Sequence, residues 1–184
     1  MRIIAGQYRG RIIQAPPGRD TRPTASCVRE SLFAILQPKI TGARVLDLFC
    51  GSGAMGLEAI SRGAVHAVLI DQDASAVKTA RKNILALGAS DACEIYRNDF
   101  LRACTLLRQR NMVFDIVFID PPYQSDYYYG AVEAVFSGLN AADCIAVIEH
   151  GTDRFPQLPK GVQVVDRRQY GRRAVALIKE EASQ

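Results

Sequence analysis

Four residues of this 184-residue chain, Asp120-Pro121-Pro122-Tyr123, combine types and spacing suited to chemistry. They follow the apolar run Ile116-Val117-Phe118-Ile119, which reads as a buried parallel strand. Two consecutive prolines cannot donate to a ladder, so the strand must end at Asp120. A carboxylate, two stiff carbonyls and a phenol ring are thereby delivered to the carboxyl edge of a sheet, where open α/β sheets bind ligands. A carboxylate oxygen of Asp120 and the carbonyl of Pro121 can each accept one N–H of an exocyclic amine. The amine's lone pair, otherwise delocalised into its base, is then free to attack a methyl group. Acceptors placed in advance act by electrostatic preorganisation, worth roughly 3–4 kcal/mol per contact. Holding the reacting atoms in attack geometry contributes about 7–11 kcal/mol. Tyr123 offers a ring against the base. The plain alternative is a Pro-Pro turn that happens to start with Asp.

A second constellation lies upstream. Gly51-Ser52-Gly53-Ala54-Met55-Gly56 has the G-x-G-x-x-G spacing between a strand and a helix, with Asp71 about twenty residues on. By itself this points to a nicotinamide dinucleotide. Asp47, four residues before the first glycine, argues otherwise, because a carboxylate there repels a pyrophosphate. S-adenosylmethionine has no phosphate and carries an ammonium and a cationic sulfur, so a carboxylate suits it. Asp71, ending the next strand, can accept from both ribose hydroxyls. Asp99, after the third strand, can accept from the adenine amino group, with Phe100 beside it. Each acid has a structural alternative. Asp47 could cap the turn, Asp71 the next helix and Asp99 the helix from Leu101, while Asp73 is read as a cap outright. Cys50 is read as a small apolar residue, His66 and His150 as structural. No His/Cys/carboxylate spacing suggests a metal.

Composition bounds the rest. The chain is long enough for one domain that buries about 70% of its unfolded surface. No apolar run approaches the roughly 20 residues needed to span a membrane, and the N-terminus lacks a signal-peptide apolar region. Five cysteines without a C-x-x-C pair argue against a disulfide framework, so a cytoplasmic protein is expected. The net charge of +4 is uneven: residues 1–43 hold seven Lys/Arg against Asp20 and Glu30. A second cluster, Arg167, Arg168, Arg172 and Arg173, lies near the C-terminus. Two arginine clusters on a neutral body predict a polyanion partner.

The elements that must position these residues can be read in order. Residues 2–14 predict a short hairpin pairing Ile3-Ile4 with Ile12-Ile13. Thr24 is an N-cap candidate for a helix whose Val28, Leu32, Ile35 and Leu36 share a face and which Pro38 stops. This leader, residues 1–40, is read as an extension to the body formed by 41–184. From Ala43, strands alternate with helices, which means a mostly parallel sheet with crossovers. Strands are predicted at 44–49, 67–71, 93–97, 115–119 and 144–149. Helices follow the glycine turn, Asp73, Leu101 and Tyr127. Gly88 is expected as a helix C-terminal glycine. Residues 162–165 and 174–178 are spaced for an antiparallel pair. Tyr127-Tyr128-Tyr129 could stack on nucleic acid, or a helix start could bury two of the three rings.

With these motifs assembled, the chain resembles the class I S-adenosylmethionine-dependent methyltransferases. Arg2-Ile3-Ile4-Ala5-Gly6 with Arg9-Gly10, Thr21-Arg22-Pro23-Thr24 and Val28-Arg29-Glu30 make it more closely similar to the RsmD-type family. That family methylates the N2 amino group of a guanine in small-subunit (16S) ribosomal RNA. The resemblance implies a Rossmann-like α/β fold, with a seven-stranded sheet whose last strand is antiparallel, and a leader segment, Arg22–Glu30, that closes over the cofactor. It implies Asp120, Pro121, Pro122 and Tyr123 as the catalytic corner. Asp47, Phe49, Gly51, Gly53, Asp71, Asp99, Arg22, Thr24 and Glu30 then fall to the cofactor. Ribosomal RNA or the small subunit is the implied partner of a monomer. Two departures stand out. The stretch 150–161, with Pro156 and Pro159, leaves little room for a crossover helix, and Tyr170-Gly171-Arg172-Arg173 is unusually basic. Other amino groups, adenine N6 in DNA or a protein glutamine, are the alternative substrates.

Overall fold

The computed structural model describes residues 1–16, 23–122, 127–153 and 155–181, side chains of 23–25 excepted. Arg22 and Tyr123, and the side chain of Thr24, lie outside what is described. Seven strands form one sheet in the order β3-β2-β1-β4-β5-β7-β6. They are β1 (Arg44–Asp47), β2 (His66–Asp71), β3 (Cys93–Arg97), β4 (Phe114–Ile119), β5 (Asn140–Gly151), β6 (Val162–Tyr170) and β7 (Arg173–Glu180). β1 to β5 pair in parallel, and β7 lies antiparallel between β5 and β6. This is the Rossmann-like α/β architecture that the alternating pattern implies. Strand order reverses between β1 and β4, so a crevice opens beyond their carboxyl ends.

Period-two alternation assigns the two sheet faces. Val45, Leu69, Ile116, Phe118, Val147 and Val175 pack with helices α1 (Pro23–Ile40), α2 (Ala54–Ser61) and α3 (Ala74–Leu87). Leu46, Val68, Val117, Ile119, Ala146 and Ile148 pack with α4 (Phe100–Gln109) and α5 (Tyr127–Phe136). Carrying the alternation to the strand ends places Asp47, Asp71, Asp120, Glu149 and Arg173 all on the α1 face. Local chemistry fixes the helix ends. The Asp73 side chain accepts from Ser75 N at 2.8 Å, and Gly88 closes α3 at φ 70°. No helix is found between β5 and β6 among the described residues, and none of the described helices is long and apolar enough to cross a membrane.

The leader corrects several expectations. It is built into the core, not appended: Ile3, Ile13, Val28, Leu32, Phe33 and Leu36 are buried in one cluster with Leu57 and Ile60. Glu58 of α2, fully buried, accepts from Ile4 N at 2.7 Å and Ala5 N at 3.0 Å. Asn83 of α3 is bonded to both backbone groups of Gln14, at 2.8 and 2.9 Å. The hairpin reduces to one antiparallel bridge, Arg2 with Ile12. Its strands are held by α2 and α3 as much as by each other, and Ile12 points to solvent. α1 begins at Pro23, so Thr24 lies inside the first turn and is not the cap. Pro38 does not stop α1, which runs on to Ile40. In the final turn a proline forfeits a single bond, to the Ala34 carbonyl, and both residues are exposed to water.

Gly6 shows how closely the leader sits. At φ +82°, an added Cβ would lie 1.7 Å from the carbonyl oxygen of Ser61, which itself accepts from Gln7 N at 2.7 Å. Gly10 has nearly the same φ, +81°, with nothing within 4 Å. Gly10→Ala should therefore cost only the left-handed penalty, roughly 1–2 kcal/mol, a melting decrease of a few degrees. Gly6→Ala should cost at least about twice as much, since backbone must also move. Thermal denaturation of the two variants side by side checks this, and equal losses would show that the leader docks loosely.

Candidate active site

The crevice at the strand-order reversal is a cavity of about 760 Å³. Its floor is Asp47, Phe118, Val147 and Val175; the leader supplies the opposite wall through Met1, Pro16, Val28, Arg29 and Leu32. The glycine turn closes one end with Phe49, Gly51 and Ser52, and Asp120, Pro121 and Pro122 stand at the other with Glu149 and Arg173. The two constellations singled out from sequence thus share one cavity.

Backbone hydrogen bonds extend β1 into the turn on both sides. Leu48 N donates to Phe118 O of β4 at 3.1 Å and Cys50 N to Ile70 O of β2 at 2.9 Å. Gly51 (φ 54°) and Gly53 (φ 78°) then turn the chain into α2. Asp71 clips this turn. One carboxylate oxygen accepts from Gly51 N at 2.8 Å and the other from Asp73 N at 2.9 Å. Asp71 is buried behind the glycine turn and does not itself line the cavity. Asp99 is the N-cap of α4, accepting from Leu101 N at 3.0 Å and Arg102 N at 3.2 Å, and is also set back from the cavity. Asn83 reaches across to donate to Ser52 O at 2.9 Å, so the same side chain that pins Gln14 also pins the glycine turn.

Two buried charges face the cavity. Asp47 is 2% exposed, and its Oδ2 has no hydrogen-bond partner among the described residues. Burial pushes its carboxyl up to about 7; Asp71 nearby raises it further, and the backbone N–H groups of Gly56 and Phe49 offset only part. The other charge is Arg29. It donates to Arg2 O at 3.0 Å and touches Met1 Sδ at 3.6 Å, but its Nε is buried with no partner among the described residues. Burial lowers its pKa, against the attraction of Glu58. A buried cation and a buried carboxylate in one cavity, each with one unpartnered polar atom, suit a zwitterion (one group of each sign) and not a polyphosphate.

At the far end, Asp120 is exposed, Pro121 buried and Pro122 exposed. Phe49, Phe100 and Tyr127 form a ring cluster beside the turn, with Phe49 and Tyr127 stacked at 6.4 Å and Phe49–Phe100 at 5.3 Å. Tyr127 and Tyr129 remain about 40% exposed and only Tyr128 is half-covered, so the helix start does not bury two of the three rings. Glu30 is exposed and does not line the cavity, whereas its neighbour Arg29 does. The sequence held a signal for Arg29, since it lies four residues before Phe33 and seven before Leu36, on the buried stripe of α1. Glu149 was visible only as the end of a strand. Arg167 and Arg168 are exposed on β6, where Arg167 covers the Phe155 ring at 5.1 Å and Arg168 pairs with Asp166 at 3.0 Å.

Residues 1–179 match the model of a family described as Conserved hypothetical protein 95. The chain is 37% identical to "Putative rRNA methyltransferase YlbH" of Bacillus subtilis, over 97% of this chain and 98% of that one. It is 44% identical to "Ribosomal RNA small subunit methyltransferase D" of Escherichia coli, over 67% of this chain and 61% of that protein. Among solved structures, "Putative methyltransferase yhhF" of Escherichia coli superposes with a TM-score of 0.84 at 34% identity, covering 100% of this chain and 99% of that one.

The buried Asp47 makes a signed prediction about pH. Its folded-state pKa, about 7, lies above the unfolded value near 4. Between those values the folded state holds the extra proton, so this group makes the protein less stable as pH rises from about 4 to 7. Asp47→Asn removes that term. The stability of Asp47→Asn relative to wild type should therefore rise between pH 5 and pH 8, measured by urea denaturation at both. A constant difference would mean that Asp47 titrates normally.

Proposed function

The chain belongs to the family described as Conserved hypothetical protein 95, the RsmD-type methyltransferases, and on that premise we propose that it methylates the exocyclic N2 amino group of a guanine in small-subunit ribosomal RNA, using S-adenosylmethionine. The observation that carries this reading is the shared cavity: Asp47, unpartnered at Oδ2, lies on its floor and Asp120-Pro121-Pro122 at its far end, with Asp47 and Asp120 on one sheet face. When bound, S-adenosylmethionine supplies an electrophilic methyl on a cationic sulfur. Asp47 accepts from the ammonium of its amino-acid end, and Arg29 holds the carboxylate at the same end. Gly51 and Gly53 let the turn approach closely, Asp71 and Asp99 are assigned to the ribose and adenine, and Phe49 with Phe100 offers an apolar ring surface. Arg22, Thr24 and Glu30 belong to the leader segment assigned to cover this end.

At the other end, the Asp120 carboxylate and the Pro121 carbonyl each accept one N–H of the target amine, which frees its lone pair for attack. Asp120, at the solvent edge, then takes the proton that the methylated nitrogen sheds. Pro122 fixes the corner by having no N–H to draw it back into the sheet, and Tyr123 is assigned to the face of the base. The base is delivered unstacked, as single-stranded or looped RNA permits. The hydroxyls of Ser31 and Tyr170, 2.5 Å apart, tie α1 to the β6–β7 hairpin. We assign the backbone of the RNA to the basic leader and the C-terminal arginines. Phosphates held there would make affinity fall steeply with salt.

S-adenosylmethionine should raise the melting temperature and NAD should not; the reverse result ends the methyltransferase reading. Arg29→Gln should weaken S-adenosylmethionine but leave decarboxylated S-adenosylmethionine nearly unaffected, which isothermal titration would read directly. Asp120→Ala should keep cofactor affinity while slowing labelled-methyl transfer to small-subunit RNA by roughly 100- to 1,000-fold. The product nucleoside, identified by digestion and mass spectrometry, should be N2-methylguanosine; a methyl on adenine N6 would move the assignment to the alternative substrate.

A further inference from the structure

The reacting amino group engages only part of the cavity rim. The register Ile119 with Ile148 puts Asp120, at the end of β4, beside Glu149 of β5. Arg173 opens β7, opposite Gly151, and its guanidinium forms an ion pair with the Glu149 carboxylate. Both side chains line the cavity together with Asp120 and Pro121, and both are partly open to it, Arg173 33% and Glu149 20% exposed. The three residues share a sheet face and follow the order of their strands, β4, β5, β7. Along the rim, Glu149 stands at strand spacing from Asp120, about 4.8 Å, and Arg173 lies one strand further on and two residues higher, level with Gly151, from where its guanidinium reaches back to the Glu149 carboxylate; acceptor, acceptor and donor thus succeed one another.

That order has a chemical complement. Along one edge, guanine presents an amino group at N2, an N–H at N1 and an acceptor at O6. Adenine offers a bare C–H, a lone pair and an amino group in those places. A carboxylate has about four acceptor sites and a guanidinium five N–H groups, so each can hold several partners at once, a base atom among them. We propose that Glu149 and Arg173 read the target base: Glu149 accepts the guanine N1–H and Arg173 donates to O6, while Asp120 and Pro121 hold the amino group. The proposal rests on the guanine-N2 reading above and adds what selects guanine. The backbone beneath is firm, since the half-buried Tyr128 donates its hydroxyl to the Glu149 carbonyl at 2.9 Å. Adenine in this position sets its N1 lone pair against a carboxylate and its amino group against a guanidinium, and both contacts repel.

The test is base discrimination. 2-Aminopurine keeps the amino group at C2 but lacks both the N1–H and O6. Small-subunit RNA carrying guanine or 2-aminopurine at the methylated position, made by splinted ligation, is offered to wild type, Glu149→Gln and Arg173→Met. Where the wild-type enzyme needs the assembled subunit, the same RNAs are reconstituted first. Wild type should prefer guanine by about 100-fold or more, since a site built to hold polar groups rejects an analogue without them. Each variant should cut that preference at least about tenfold, and Glu149→Gln, whose amide N–H can meet the bare N1, should cut it most. Retained S-adenosylmethionine binding, seen as a melting shift, confirms that each variant is folded. If both variants slow the two substrates equally, the pair is structural or holds phosphate, and the proposal is overturned while the guanine reading stands. If wild type forms no N2-methylguanosine in RNA at all, the guanine reading falls and the proposal with it.

Discussion

Glu58 is a carboxylate with no exposure to water, and the cavity's outer wall depends on it. It holds two leader N–H groups and, at 2.7 Å, the Nε of Arg62. Arg62 in turn bonds Gln37 of α1 at 3.0 Å and covers the Phe33 ring at 5.1 Å. An uncompensated buried charge is far too costly to persist. Removing one partner of a buried ion pair typically costs about 3–5 kcal/mol. Leader, α1 and α2 must therefore assemble together or leave Glu58 stranded. Because α2 grows directly out of the glycine turn, the same clamp fixes Arg29 and Met1 relative to Asp47. The two sides of the cavity are rigidly coupled although more than fifty residues separate Ile4 from Glu58 in the chain.

The second organising constraint is parity. A strand side chain two residues beyond a core position must face the same way as that core position. Asp47 follows Val45, Asp120 follows Phe118, and Glu149 follows Val147, each apolar partner belonging to the core under α1. The choice of which hydrophobic residues pack on the leader side thus also decides which polar residues reach the cavity. Shifting any of these strands by one residue would turn its functional side chain toward α4 and α5, so core packing enforces the site's composition.

Local signals were legible in the sequence and distant ones were not. The caps at Asp73 and Gly88, the five parallel strands, the antiparallel closing pair and the missing crossover helix all follow from residues within a few positions of each other. Asp71 could be placed at the end of β2, yet its bonds to Gly51 and Asp73 depend on how tightly the turn folds back. The inward position of Arg29, the clamp at Glu58 and the bridge at Asn83 have partners 27 to 69 residues away. No periodicity announces those. The docking of the leader is equally distant from any local signal. Gly6 and Gly10 look like turn punctuation, and only the Ser61 carbonyl against Gly6 shows a docked surface. Pro38 looks like a stop because a proline cannot continue a helix interior, but a last-turn proline has little to break.

The cavity's carboxylates divide the work by burial. Asp47 is buried on the cavity floor with an unpartnered oxygen, and burial pushes its carboxyl up to about 7, so its charged form lacks the counter-charge that a bound cation would supply. Asp120 stands exposed at the rim, where a group that must gain and shed protons has water within reach. Glu149 is intermediate, partly covered and tied to Arg173. In the proposed reaction the deep carboxylate meets the constant ligand, the open one serves turnover, and the paired one between them selects what is admitted. The sheet sets these three acids at three depths on one face.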